Sequence, residues 1–337
     1  NYKLNLNLKM KIDIHTHIMP AIMPNWVHKF GYGEFIHLEH RNCKACMMKG
    51  DKVFREVDDN CFDAGIRIKE MDETEVTIQV LSTIPVLFNY WAAAKDGYET
   101  SRFFNDHITD TVLKNPKRFI GIGTVPLQNI DLAIKEMERC VEDLDMPGLE
   151  IGSNINGINL SDEQFFPFYE AAEKLGCALF VHPWEMMGEQ QMQKYWLPWL
   201  VGMPGETSRA ICSMIFGGVF EKFPKLRVAF AHGGGSFPLT IGRIEHGFNV
   251  RPDLVAIDNP VNPRDHIGKF WIDSLVHDEK ALKYILDVMG EDKICLGSDY
   301  PFPLGEHQPG KLIEGMNLSP GLTEKLLFKN ANDWLGR

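Results

Sequence analysis

Two histidines one residue apart, His15 and His17, close the first apolar run of the chain, Lys11-Ile12-Asp13-Ile14-His15-Thr16-His17. Alternate side chains of an extended strand share a face, so both imidazoles project the same way, as two ligands of one metal must. Three later segments end alike: Leu179–Trp184 carries His182, Val228–Gly235 carries His232 ahead of three glycines, and Ile294–Pro301 carries Asp299. Each is a short apolar run that stops at a polar residue followed by a turn signal. His15, His17, His182 and Asp299 offer three nitrogens and one oxygen. That set suits Zn²⁺ with one position left for water, and Mn²⁺, Fe²⁺ or Co²⁺ can also occupy it. His232, with space left beside it by Gly233, Gly234 and Gly235, is expected as a general base and later acid. From the residues alone two alternatives stay open: His232 as a fifth ligand or a core imidazole bonded to a carbonyl, and Asp299 as a helix cap or an acceptor that orients His182.

Ligands from separate strands must be carried to one point, and strand ends on one face of a barrel do this. Strand-like runs recur at Lys11–His17, Thr77–Leu81, Phe119–Thr124, Gly148–Gly152, Cys177–His182, Arg227–Ala231, Phe270–Asp273 and Lys293–Gly297. Between them lie helical patterns, such as Leu132, Ala133, Met137, Cys140, Val141 and Leu144 ahead of Pro147-Gly148. A capping box at Ser161 and Gln164 is expected to open a helix ending at Leu175-Gly176, Leu239–Asn249 reads as another, and Ser319-Pro320 starts the last. The expected fold is therefore α/β, a (β/α)8 TIM-type barrel forming one metal-dependent domain over residues 10–337. The stretch Met19–Asp63 is too long for a plain connection and contains the strand-like run Lys52–Val57. It is expected to form a small β insertion after strand 1, a lid over the barrel mouth. Asn1 to Lys9 precede Met10 and read as an N-terminal extension. The fourth strand lacks the lysine that bridges two metals in many barrel hydrolases, which argues for a single ion, and its Glu150 is expected to face the outer helices.

Forty-six acidic against thirty-five basic residues give a net charge of -11, which argues against a nucleic-acid surface. No apolar run approaches the roughly 20 residues that cross a bilayer, and the N-terminus lacks a signal-peptide core, so a cytoplasmic protein is expected. Seven cysteines cannot all pair within one chain. Cys140, Cys177, Cys212 and Cys295 sit isolated in apolar elements and are expected reduced, with Cys43 and Cys46 as an incidental loop pair. Trp184, the run Tyr195-Trp196-Leu197-Pro198-Trp199, and Phe302 crowd the loops beside the candidate ligands and would hold a planar, conjugated substrate. Arg55 and Arg251 are candidate partners for its carboxylates.

The segments Met10–His17, Phe180–Trp184, Lys194–Pro204, Phe230–Gly235 and Asp299–Glu306 together resemble the zinc-dependent decarboxylases of the amidohydrolase superfamily, over the chain from Met10 to about the last helix. The resemblance implies one Zn²⁺ per subunit on His15, His17, His182 and Asp299, with His232 as the acid/base and Asp299 as a second candidate proton donor. It implies non-oxidative decarboxylation of an unstable, conjugated semialdehyde carboxylate in the kynurenine route of tryptophan breakdown. Arg55 and Arg251 would hold substrate carboxylates, the second reaching in from a neighbouring subunit, so that activity requires a homodimer. Trp199, Met186 and Phe302 would line the hydrophobic pocket. The implied partners are a small-molecule carboxylate and a second copy of the chain, with neither nucleic acid nor membrane. The sequence departs from the pattern at Thr16, where serine is common, and at Glu150, where glutamine is more familiar.

Overall fold

Runs such as Ala178-Leu179-Phe180-Val181-His182 are buried along their whole length, so they do not show the polar alternation of a sheet with one wet face; they pair in parallel, as strands covered on both sides do. The computed structural model describes residues 10–41 and 44–337. Its barrel strands are Ile12–His17, Ile78–Ser82, Phe119–Gly121, Gly148–Gly152, Ala178–His182, Val228–Phe230, Trp271–Asp273 and Ile294–Cys295. Each overlaps its expected run. The first three pair in order, as do the last five. The third and fourth are joined by Gly123 N–H donating to Gly148 O (3.0 Å) and Glu150 N–H to Gly123 O (2.7 Å). The eighth meets the first through Ile14 N–H to Leu296 O (2.9 Å) and His17 N–H to Tyr300 O (2.8 Å), which closes the (β/α)8 barrel.

Alternation divides the strand residues between two layers. Ile12, Ile14, Val80, Ile120, Phe180, Ala229 and Trp271 fill the interior, while Leu81, Leu149, Ile151, Leu179, Val181, Val228 and Phe230 pack outward against the helices. Trp334 plugs the interior from below, its Nε1–H donating to Leu179 O (3.3 Å) and its ring meeting Phe180 edge-on. Glu150 lies between the outward Leu149 and Ile151. It must therefore point into the barrel, and the expectation that it faces the outer helices is wrong.

Helices Ala94–Lys114, Ile130–Glu138, Phe166–Leu175, Met203–Phe216, Phe237–Val250 and Glu279–Met289 form much of the outer layer. Ser319 caps the helix beginning at Pro320 by accepting from Leu322 N–H, as expected. The Ser161 capping box does not form. Asp162 instead accepts from Gln164 N–H (3.1 Å) and opens a short 3-10 turn, Glu163–Phe165, ahead of the helix; a carboxylate one residue closer to the turn competes well for its free N–H groups.

The insertion holds a short helix, Trp26–Phe30, and three antiparallel strands, Ile36–Arg41, Lys44–Lys49 and Lys52–Val57. Met19, Ile36, Ala45, Met47 and Val57 form one apolar cluster with Ile84, Leu87 and Phe302 of the barrel-mouth loops, which seats the small sheet there. Cys46 lies within its middle strand rather than in a loop, and Cys43 falls outside the described residues. The six described cysteines are free. Among the described residues no helix is long and apolar enough to cross a membrane. Trp334→Ala should destabilise the barrel by about 3–5 kcal/mol, measured by urea unfolding, because it removes a fully buried indole that the surrounding strands cannot collapse to replace.

Candidate metal centre and its pocket

Three buried imidazoles are oriented from behind. His15 Nδ1 meets Asp273 Oδ2 at 2.7 Å, His17 Nδ1 meets Thr83 O at 2.8 Å, and His182 Nδ1 meets Pro183 O at 3.0 Å. Carboxylate and carbonyl oxygens accept only, so each Nδ1 carries the hydrogen and each Nε2 presents a lone pair. Those three Nε2 atoms are buried with no hydrogen-bond partner. Leaving a buried nitrogen unmet costs on the order of 1–3 kcal/mol, and three of them converging is the arrangement that an ion would satisfy. The imidazole centroids of His15, His17 and His182 stand 5.1 Å apart in every pairing.

Asp299 completes the cluster. Its Oδ1 lies 3.1 Å from His17 Nε2 and 3.5 Å from His15 Nε2, and its Oδ2 lies 3.9 Å from His232 Nε2. It faces the lone-pair side of the histidines and not His182 Nδ1, which removes the orienting role left open above. Ligand atoms of His15, His182, His232 and Asp299 all fall within 4.8 Å of one another, so the geometry keeps His232 close enough to ligate as well as to move a proton. Both Asp299 and His232 have positive φ, 56° and 57°, in the turns just beyond their strands, and this backbone form aims their side chains across the barrel mouth.

Electrostatics favour a cation here. Burial alone would raise the Asp299 carboxyl, but the imidazoles of His17, His232 and His15 gathered around it hold it well below the usual carboxylate range. Burial, together with the crowding of His232, His17 and His15, depresses His182 well below an ordinary histidine, as a neutral ligand requires. Burial lowers His15 too. Inside the barrel, Glu150 Oε1 lies 3.6 Å from His17 Nδ1. Burial pushes its carboxyl up to about 8, against the pull of His17.

A cavity of about 500 Å³, counting its solvent-open mouth, lies over these groups. His17, His182 and Asp299 form its floor, and Phe54, Trp184, Trp196, Trp199 and Phe302 supply aromatic walls. Arg55, largely buried, also reaches this cavity from the insertion. Its guanidinium stands 4.8 Å from the Phe302 ring centroid, 5.4 Å from Trp199 and 5.8 Å from Phe54. Among the described residues no carboxylate forms an ion pair with it, so it is a caged cation facing an open space.

The expected residues thus divide. His15, His17, His182, His232 and Asp299 come together, and Arg55, Trp199 and Phe302 line the cavity above them. Met186 lies one step back, in an adjoining cavity shared with Phe54, Trp184 and Trp199. Arg251 stands outside on the surface, paired with Asp253 (Nη2–Oδ2 2.7 Å). Asp273 was not anticipated, although its strand ends Trp271-Ile272-Asp273 in the same apolar-then-polar pattern as the others. Met47 and Phe54 were not anticipated either, and nothing in a half-polar insertion strand marks which residue will turn to the cavity.

Residues 12–337 match the model of a family described as amidohydrolase. The chain is 58% identical over 329 residues to a 2-amino-3-carboxymuconate-6-semialdehyde decarboxylase of Dictyostelium discoideum, covering 97% of this chain and 92% of that protein. It is 39% identical to a protein of the same name from Caenorhabditis elegans, covering 95% and 93%. In three dimensions it resembles a 5-carboxyvanillate decarboxylase from Novosphingobium aromaticivorans, complexed with manganese and a nitrobenzoic acid, with a TM-score of 0.80 at 21% identity over 97% of this chain and 96% of that one.

Removing a donor and removing the flanking imidazole should separate ligation from proton transfer. His182→Ala is expected to lose bound transition metal on dialysis, while His232→Ala keeps it, both read by elemental analysis of folded protein; loss of the metal from both would make His232 a ligand.

Proposed function

The chain belongs to the amidohydrolase family, and from that premise we propose that it is a zinc-dependent carboxy-lyase converting 2-amino-3-carboxymuconate 6-semialdehyde to 2-aminomuconate 6-semialdehyde in tryptophan catabolism. Left alone, that substrate cyclises to quinolinate, a precursor of NAD, so the reaction limits both. The observation that carries the reading is the juxtaposition of three unmet Nε2 atoms and Asp299 with an unpaired, aromatic-caged Arg55 across one cavity.

His15, His17, His182 and Asp299 would hold one Zn²⁺ per subunit. When bound, the ion supplies Lewis-acid polarisation and makes water a usable nucleophile near neutral pH. The remaining work falls to the chain. Arg55 pairs with a substrate carboxylate in a setting where burial strengthens the pairing. Trp199 and Phe302 hold the planar conjugated chain, and Met186 backs the Trp184–Trp199 wall from the adjoining cavity. Decarboxylation breaks the bond between carbon and carboxylate, and the electron pair left on carbon must end in a C–H bond. His232, beside Asp299, is placed to take a proton from water and deliver it to that carbon.

Arg251 cannot serve the cavity of its own chain from its surface position. It stands among exposed apolar side chains, Val250, Leu254 and Ile257, the composition of an association surface. A homodimer in which Arg251 reaches the neighbouring cavity accounts for both features. Free, mostly buried cysteines suit a reducing, cytoplasmic setting.

Zinc-loaded protein should release carbon dioxide from freshly generated 2-amino-3-carboxymuconate 6-semialdehyde, and a chelated control should not. Release from hydroxybenzoates alone would redirect the assignment to an aromatic acid decarboxylase. For the dimer, mixing inactive Arg251→Ala with inactive His232→Ala is expected to restore part of the activity, since each hybrid would contain one intact cavity; absence of rescue would refute a shared site.

A further inference from the structure

Asp273 ends the seventh barrel strand, is fully buried, and accepts four hydrogen bonds. Its Oδ2 takes His15 Nδ1–H at 2.7 Å and the backbone N–H of His232 at 2.9 Å. Its Oδ1 takes the backbone N–H of Gly233 at 2.7 Å and of Leu275 at 3.0 Å. One carboxylate oxygen therefore touches both the ring of a candidate metal ligand on the first strand and the backbone of the proton-transfer residue after the sixth. Gly297, just past the eighth strand, lets the first and seventh come this close: a Cβ there would stand 2.7 Å from Asp273 Cβ and 3.0 Å from His15 Cβ.

We infer that Asp273 is a positioning residue that fixes His15 in its Nδ1–H tautomer and pins the backbone of His232, so that metal ligation and proton transfer are set by one side chain. The inference rests on the reading of His15 as a ligand. Every group around the carboxylate is a donor. Three of the four are backbone N–H groups, which cannot change; only His15 can switch, by moving its hydrogen to Nε2 and accepting at Nδ1. That switch would turn an N–H toward the ion and abolish ligation, and Asp273 forbids it.

Asp273→Asn tests this with little change of shape. The amide oxygen can keep Gly233 and Leu275, while the NH₂ group then faces both the His232 backbone N–H, whose bond is lost, and His15, which it drives to the wrong tautomer. Histidine-selective ¹⁵N NMR of the metal-free protein, with His15 assigned through His15→Gln, should show Nδ1–H for the native chain and Nε2–H for the variant. Zinc affinity against a competing chelator should fall about 10- to 100-fold. An Nε2–H tautomer in the native chain overturns the inference, and this measurement stands even when the variant does not fold. An Asp273→Asn protein that melts earlier but binds zinc undiminished also overturns it, because the role would then be structural alone. Neither readout uses substrate, so failure of the decarboxylase assay would refute the proposed function while leaving this inference untouched.

Discussion

The site depends on the seam where the barrel closes. Ile14 and His17 donate to Leu296 and Tyr300, and these bonds set His15 and His17 beside Asp299. The seam is reinforced by polar groups where the rest of the interior is mostly apolar. Ser298 donates from its hydroxyl to Asp13 Oδ2 (2.5 Å) and from its backbone to Asp13 Oδ1 (3.1 Å). On the other side of His17, Arg67 Nη1–H donates to its carbonyl (2.7 Å) while the guanidinium lies 4.6 Å from the Tyr300 ring centroid. Burial pushes the Asp13 carboxyl up to about 7, whereas the bond from the Arg67 guanidinium, a charged donor, contributes about 1.5–3 kcal/mol. These bonds fall on Asp13, two residues before His15, and on His17 itself, so the join between first and last strand is tied by polar groups from two sides.

From that seam the electrostatic design follows. Burial keeps His15 and His182 neutral and would also neutralise Asp299, but the surrounding imidazoles keep it ionised. Asp299 thus brings a charged oxygen beside the three unmet Nε2 atoms, a set that matches a divalent ion better than it matches water. Arg55 extends the same logic upward. Its charge sits in an aromatic cage whose rings partly compensate lost hydration, and the seating of the insertion against Ile84, Leu87 and Phe302 holds it over the floor. The small sheet is thus a wall of the site as much as a cover for it.

Much of the site could be read before any coordinates. Strand alternation placed His15 and His17 on one face, and strand-end positions marked His182, His232 and Asp299, because parallel barrels bring the ends of all strands to one rim. Glu150 was misplaced because an isolated polar residue in an apolar strand does not say which layer it enters; its neighbours Leu149 and Ile151, packing outward, decide that. The insertion was legible as a β element from Lys52–Val57, but its other two strands carry His, Glu, Lys and Cys in patterns too weak to mark them. The capping error at Ser161 came from a competition between adjacent residues that only the local turn resolves.

What the sequence by itself determined was the donor chemistry and the strand periodicity, since residue type and spacing of two are properties of the chain alone. Tertiary structure decided everything that depends on the approach of distant segments: which nitrogen of each imidazole is free, that Asp273 lies behind both His15 and His232, that Arg55 enters the cavity, and that Arg251 stays outside it. The reason is physical. A hydrogen bond or an ion pair exists only within about 3–4 Å, and the partners that set tautomer, charge and orientation here come from different strands, brought to that distance by barrel closure.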